Sequence, residues 1–390
     1  MVFIHYLFTT TMARKSKKIK ILFTIPNFDT AGSGKALLKV ALSLNKEIFV
    51  PEILCLHNRG AFFKVVEKSG IKVHVFQYIT QMKPYAKGLI NTFKTSRFLK
   101  KIQPDIIHSF HYAPDYSEPL ASKMAAIPWI YTKKNMNWGG SSANGWKLRS
   151  FLANHILAQN KDMITEFFPN SKKVSLVTRG VDTSEFFPSE PEVNIFKQYD
   201  LKKTDRIVIC VANLVPVKGI EILLKAFERF KNSHSDWKLF VVGDINNDYG
   251  KMLLESGKSM ISNNKLFFTG KVLNVKDYLN TSELFVLPTL NKGRKEGSPV
   301  ALLEAMACAT NVIASEIPGI KDQLENYPNH MFEAGNIEEL SNKLEKYMCQ
   351  DSSENKKIGN KFNIHVNNAY KIEHEVEKTE KVYLKLIREL

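Results

Sequence analysis

The chain has 390 residues, of which 44% are hydrophobic and 24% charged; this is ordinary globular composition, long enough for two domains, and it argues against a disordered chain. Cys55, Cys210, Cys308 and Cys349 are scattered without a Cys-x-x-Cys pair, so neither a zinc site nor a disulfide framework is signalled and a reducing, cytoplasmic setting fits. Net charge is +16, with 18 Lys and Arg against 4 Asp and Glu in residues 1–104 and 37 against 35 in the remainder, so an anionic partner is expected at one end, a membrane surface in preference to nucleic acid.

In chain order, the opening "MVFIHYLFTT" is shorter than the ~20 residues of a membrane span and precedes its basic run, unlike a signal peptide. Residues 1–18 read as a basic extension, with Met12 an alternative start. "IKILFTI" (19–25) is a strand, and "DTAGSGKALL" (29–38) follows it. "GSGK" resembles a phosphate loop, but Asp29 and Ala36 stand where such a loop needs its first Gly and its Ser or Thr, so an NTPase is not expected. What remains is a glycine-fronted helix carrying Leu37, Leu38, Ala41 and Leu42, suited to an anion or simply a tight strand-to-helix turn. Residues 83–102 place Lys87, Lys94, Arg97 and Lys101 beside Leu89, Ile90, Phe93, Phe98 and Leu99. That pattern suits either a helix lying on a membrane or a solvated basic face over a buried stripe.

"VPEILCL", "KVHVF", "DIIHSF", "IPWIYT" and "VSLV" are the remaining strands of a first series that alternates with helix-length segments. After the proline-bearing "EFFPSEPEVN" a second series begins with "DRIVICVANL", "WKLFVVGD", "KLFFTG", "ELFVLPT" and "TNVIAS". The fold class expected is therefore α/β, with two tandem doubly wound domains and an interdomain cleft at the carboxyl ends of the strands. The terminal stretch from Lys371 reads as a helix with Val376, Val382, Leu384 and Ile387 inward.

Two stretches carry chemistry. In "KEGSPVALLEAMA" (295–307), Ser298 as cap and Pro299 as first helical residue open a helix toward Gly297, with Glu296 just before it. Glu304 lies inside that largely apolar helix, where a carboxylate needs a basic partner, a ligand's hydroxyls or exposure. In "VANLVPVKG" (211–219), Lys218 at the end of the second domain's first strand suits a phosphate, or is an exposed turn lysine.

Together and in this order the stretches resemble the retaining glycosyltransferases of the GT-B fold, family 4. "RGVDTSEFFP" (179–188) is similar to the family's linker, "VANLVPVKG" to its Lys-Gly element, "LFFTGKVLNVKDYLNTSELFVLPT" (266–289) to its base-binding unit, and "EGSPVALLEAMA" to its Glu-x₇-Glu signature. The resemblance implies Rossmann-like domains at residues 1–184 and 185–370, the first on the acceptor side with helix 371–390 packing back on it, the second binding the nucleotide sugar. It implies Lys218 on the diphosphate, Glu304 on the ribose, backbone near Lys271 and Val272 at the base, Glu296 along the donor sugar, and the amides of Gly297, Ser298, Pro299's turn and Val300 toward the diphosphate. Gly32 and Gly34 would close on the donor phosphate, and His108 and His111 are candidate cleft residues or histidines satisfied within the fold.

Three departures stand out. Asn213 replaces the family's Arg, with Arg294 or Lys295 able to compensate; Lys134 stands in place of a His; and Arg179 replaces the linker's Asn. The function implied is transfer of a sugar from a nucleotide-diphosphate sugar, by family habit a UDP-sugar, to a saccharide or lipid-linked acceptor in cell-surface glycan assembly. No cofactor or metal is expected, the place is the inner face of the membrane, and no nucleic acid is involved. The alternatives are a nucleotide-sugar epimerase on the same fold and a non-catalytic sugar-nucleotide-binding protein.

Overall fold

A computed structural model describes residues 17–29, 31–60, 62–138, 143–230, 232–292 and 296–389. The basic extension up to residue 16, Met12 and the proposed compensators Arg294 and Lys295 lie outside the described residues. The chain divides into two compact units, one reaching Phe110 and including Ser117–Trp129, the other made of His111–Tyr116 and Ile130–Leu390.

The first unit is built from β1 (Ile19–Thr24), α1 (Ala31–Ser43), β2 (Phe49–Cys55), α2 (Phe63–Lys68), β3 (Lys72–Val75), α3 (Tyr85–Ile102), β4 (Ile106–Ser109) and α4 (Ser117–Ala125). Its strands run parallel in the order β3-β2-β1-β4, with Phe23 opposite both Ile53 and His108. Parallel strands require crossovers, and the helices supply them and cover the sheet's apolar faces. At the carboxyl ends of β1 and β4 sits a buried carboxylate: Thr24 Oγ1 donates to one oxygen of Glu118, and Ser109 Oγ to the other at 2.8 Å. Glu118 thereby ties the first turn of α4 to the sheet.

The second unit continues with β5 (Trp129–Lys133), α5 (Ala143–Leu152), β6 (His155–Ala158), α6 (Lys161–Phe167) and β7 (Val174–Leu176), whose strands pair in sequence order. Then follow α7 (Val193–Gln198), β8 (Arg206–Val211), α8 (Ile220–Glu228), β9 (Trp237–Val242), α9 (Asp248–Ser256), α10 (Lys258–Ser262), β10 (Leu266–Gly270), α11 (Val275–Thr281), β11 (Leu284–Leu287), α12 (Val300–Ala307), β12 (Asn311–Ser315), α13 (Ile320–Gln323), β13 (Met331–Phe332), α14 (Ile337–Met348), α15 (Ser352–Ala369) and α16 (Ile372–Arg388). Here a parallel sheet has the order β10-β9-β8-β11-β12-β13, and cores of Ile, Leu, Val and Phe lie on both of its faces. The fold is thus α/β with two parallel Rossmann-like sheets, as the alternating pattern predicts.

The differences from the sequence reading have local causes. β6 and β13 were not expected: β6 is four buried residues, too short to stand out beside helix-like neighbours, and β13 has only two residues. "GSGK" lies within the first turn of α1 and not in a loop before it, and Leu42 is exposed while Leu37, Leu38 and Ala41 are buried. In α16 the inward set is Ile372, Glu375, Val376, Thr379, Val382, Tyr383 and Leu386; Leu384 and Ile387 flank that stripe and are only partly buried. Arg179 is occupied by Glu375 of α16 at 3.2 Å, and the second Glu375 oxygen accepts from Gly180 N–H at 2.8 Å. The cation in the linker position therefore locks the linker to α16.

Candidate active site

The site grows from the end of β8. Beyond Val211 the chain forms a single 3₁₀ turn, Pro216–Lys218, followed by Gly219 at φ 62°. An added side chain at Gly219 would collide with the Pro288 carbonyl as well as meeting the left-handed penalty. Leu290 N–H donates to the Val217 carbonyl at 2.8 Å, so the loop after β11 grips the turn. Held there, Lys218 forms an ion pair with Glu296; the two side chains are 16% and 22% exposed, which leaves both within reach of a ligand.

Glu296 opens a tightly held turn ahead of α12. Its backbone forms an antiparallel bridge with Asn135, just past β5. Gly297 follows, and its carbonyl accepts from the buried Asn160 Nδ2 at 2.6 Å while Asn160 Oδ1 caps α6 by accepting from Met163 N–H at 2.7 Å. A side chain at Gly297 would run into the Lys134 carbonyl, and one at Gly319 into the Gly297 carbonyl. The buried Gln323 Nε2 donates to Ser298 Oγ at 3.0 Å and to the Pro299 carbonyl at 3.1 Å. Hydrogen bonds from these buried amide groups hold the turn in place.

α12 begins one residue later than expected. Pro299 has extended backbone (φ −72°, ψ 121°) and is itself the cap, so Ser298 does not cap the helix; its hydroxyl is bonded to Gln323. With no side-chain cap at that end, the first-turn amides of α12 are left to other acceptors. Glu304 is partly buried one turn past Val300. The Cys308 thiol, four residues on, is pushed up to about 12 by burial, with Glu304 adding to it.

Lys134 abuts Gly297 through its backbone and lays its ammonium 5.6 Å from the Tyr112 ring centroid. His111 is buried beside it and is pushed down to about 3, first by burial and then by the Arg149 and Lys134 charges, so its ring is neutral. Lys133 is the cation the sequence reading passed over. It is fully buried, donates to Asn135 Oδ1 at 3.0 Å and the Asn137 carbonyl at 2.7 Å, and lies 4.1 Å from the Trp146 ring centroid. Burial, helped by Arg149 and opposed by Glu166, pushes Lys133 down to about 7.

The remaining expected residues are more dispersed. Asn213 is exposed; Lys271 is exposed and Val272 half-buried, on the loop after β10. In the first unit, His108 is buried between the rings of Phe23 and Phe110, with centroids 5.4 and 4.8 Å away. Gly34 packs under Phe28 and Phe62, whereas the space beside Gly32 is open. Asn135, Asn160, Gly319 and Gln323 were missed, because each reaches the turn from an element distant in sequence. The one local signal was the Pro-Gly at 318–319. Among the described residues no group of three or more His, Cys, Asp or Glu stands together as a metal-ligand set.

Two family models match the chain, and they meet between residues 185 and 192. Residues 192–363 match the family described as glycosyl transferases group 1, and residues 31–185 match glycosyltransferase family 4. A capsular polysaccharide biosynthesis glycosyltransferase, CapH of Staphylococcus aureus, is 26% identical over 81% of this chain and 86% of its own length. The UDP-Gal:α-D-GlcNAc-diphosphoundecaprenol α-1,3-galactosyltransferase of Escherichia coli is 25% identical over 77% of this chain and 80% of its own. Among solved structures, Anabaena HepE in complex with UDP and glucose superposes with a TM-score of 0.77 over 94% of this chain and 99% of that one, at 17% identity.

Proposed function

The chain belongs to glycosyltransferase family 4, with GT-B-type architecture, and from that premise we propose that it moves a sugar, with retention at the anomeric carbon, from a UDP-sugar to a lipid-linked saccharide acceptor in cell-surface glycan assembly. The observation that carries this is the Lys218–Glu296 ion pair, which joins the turn after β8 to the fixed turn ahead of α12, a helix with no side-chain cap at its start. In the reaction the bond from the anomeric carbon to the diphosphate breaks, its electron pair leaves on the diphosphate oxygen, and the acceptor hydroxyl forms the new bond while its proton passes to the departing diphosphate. Negative charge grows on the leaving group, where Lys218 and the α12 amides would act, and positive charge on the sugar, where Glu296 would act. On arrival the diphosphate takes over Lys218 from Glu296, and the freed carboxylate turns to the sugar. Glu304 would hold the ribose, and the backbone at Lys271 and Val272 the base.

The donor is assigned as a UDP-sugar with support from the UDP in the Anabaena complex and from the Escherichia coli relative's UDP-galactose. That relative's diphosphoundecaprenol substrate likewise supports a lipid-linked acceptor, and CapH supports a role in surface polysaccharide. Metal independence, a cytoplasmic location at the membrane's inner face and the domain division at residue 184 are parts of the same proposal. Thermal denaturation with UDP, GDP and ADP and their sugars, with and without chelator, tests it, since a ligand of the folded state raises the melting temperature by mass action. A rise with UDP compounds unaffected by chelator is expected, and the anomeric proton coupling of the product reads out retention. A rise with another nucleotide only, a rise abolished by chelator, or an inverted product would overturn the corresponding part.

A further inference from the structure

Helix α3 is turned against its composition. Its buried seam is Gly88, Thr92, Thr95, Ser96, Leu99 and Ile102, whereas Tyr85, Leu89, Ile90 and Phe93 are each between 50% and 59% exposed. The rotation is set by close approach: a Cβ on Gly88 would come within 2.6 Å of the Met82 carbonyl oxygen and 2.7 Å of Met82 Cα. Thr92 Oγ1 donates to the Gly88 carbonyl at 2.8 Å, and farther along Phe98 stacks on Phe76 of the first unit at 4.0 Å. With a small-residue seam packed inward, the large apolar side chains have no inward route.

At 100° per residue, Leu89, Ile90 and Phe93 share the outward face with Lys94, Arg97, Lys100 and Lys101, all exposed. The outer surface is thus apolar over the first turns and cationic over the last. Between residues 68 and 104 there are eight Lys or Arg and no Asp or Glu. An apolar cluster of this size, rimmed by one sign of charge, marks an interaction surface. A second copy of the chain is a poor occupant, because a two-fold contact would oppose these cations to their own images. Nucleic acid would engage the lysines and arginine but leave Leu89, Ile90 and Phe93 in water.

We propose that the outer face of α3 docks on an anionic lipid bilayer, with Tyr85, Leu89, Ile90 and Phe93 entering the acyl boundary and Lys94, Arg97, Lys100 and Lys101 lying on the headgroups. This deepens the reading above, since a lipid-linked acceptor is met at a bilayer, but it is tested without any acceptor. The full chain is sedimented with vesicles of phosphatidylcholine alone and with 30% phosphatidylglycerol, about 30% being a composition that lends the surface anionic character. Binding is expected only with phosphatidylglycerol and weakens with salt. The Leu89→Ser/Ile90→Ser/Phe93→Ser variant lowers partitioning at least tenfold, and Lys94→Gln/Lys100→Gln/Lys101→Gln abolishes the preference for anionic lipid.

Cooperative melting checks the fold of each variant, and Leu89→Ser alone, with a smaller loss, serves if the triple variant fails to fold. Equal binding to both vesicle types, undiminished binding by folded variants, or a concentration-dependent dimer that the serine variant dissolves would overturn the proposal. Lost vesicle binding with the UDP-induced melting shift intact leaves the glycosyltransferase reading standing, and the converse result leaves the docking surface standing.

Discussion

The two parallel sheets end differently at their carboxyl edges. In the first unit the strand ends close on themselves: the Glu118 carboxylate is buried and takes hydroxyl bonds from Thr24 and Ser109. In the second unit the corresponding edge presents Lys218 and Glu296 partly exposed, Lys218 on the 3₁₀ turn after β8 and Glu296 at the start of a turn bonded from behind by Asn160 and Gln323. One topology thus yields an edge that is structural and an edge that can take a ligand. The difference lies in where polar groups are completed. A carboxylate completed by its own fold has no capacity left for a substrate, whereas an ion pair near the surface can exchange partners at little cost.

The comparison breaks most visibly at Gly297. Gly297→Ala drives a methyl group into the Lys134 carbonyl, and sugar transfer is expected to fall at least about a hundredfold, since a misplacement of ~1 Å suffices for that; a rate within a few-fold of the original would show that the turn is not the reactive element. Glu118→Ala is the matching change at the closed edge. It strands buried hydroxyls and should lower stability by about 2–4 kcal/mol, measured by denaturant unfolding, while nucleotide affinity per folded molecule stays the same. Lys218→Ala reverses that split: nucleotide affinity, measured by calorimetry, is expected to weaken about tenfold or about 1.4 kcal/mol, with the melting temperature little changed.

A smaller effect separates buried histidines from the site. His111 is pushed down to about 3 and His155 and His330 to about 4, burial being the first cause in each. Between the ordinary histidine value and these, the unfolded chain binds more protons than the folded one. Their contribution to stability is therefore complete above about pH 6.5 and is lost as pH falls toward 4. Melting temperature should drop over that interval, and His155→Asn should flatten part of the drop; an unchanged slope would mean that His155 is protonated in the folded chain.

Much of the fold was legible because its strands are short apolar runs separated by crossover helices, and β1, β8 and β9 all fall within the stretches read as strands. Lys218 and Glu296 were legible as members of a motif, but their ion pair was not, being a contact across 78 residues. Asn160 and Gln323 carry no local mark, since an asparagine capping a helix and a glutamine in a helix are commonplace until the turn they bond is placed beside them. Leu42, Leu384 and Ile387 show the limit of periodicity: it predicts that a helix has an apolar stripe, while neighbouring elements decide its exact centre.

By itself the sequence determined the α/β alternation, the family and the identity of the charged groups at the strand ends, because these depend on residue type and spacing along the chain. The tertiary structure alone decided that Glu296 faces Lys218, that Lys133 is buried against Trp146, and that α3 turns Leu89, Ile90 and Phe93 outward. Each of those outcomes depends on which backbone can approach another closely, as at Gly88, Gly219 and Gly297, and such approach is a property of surfaces that meet only after the chain has folded.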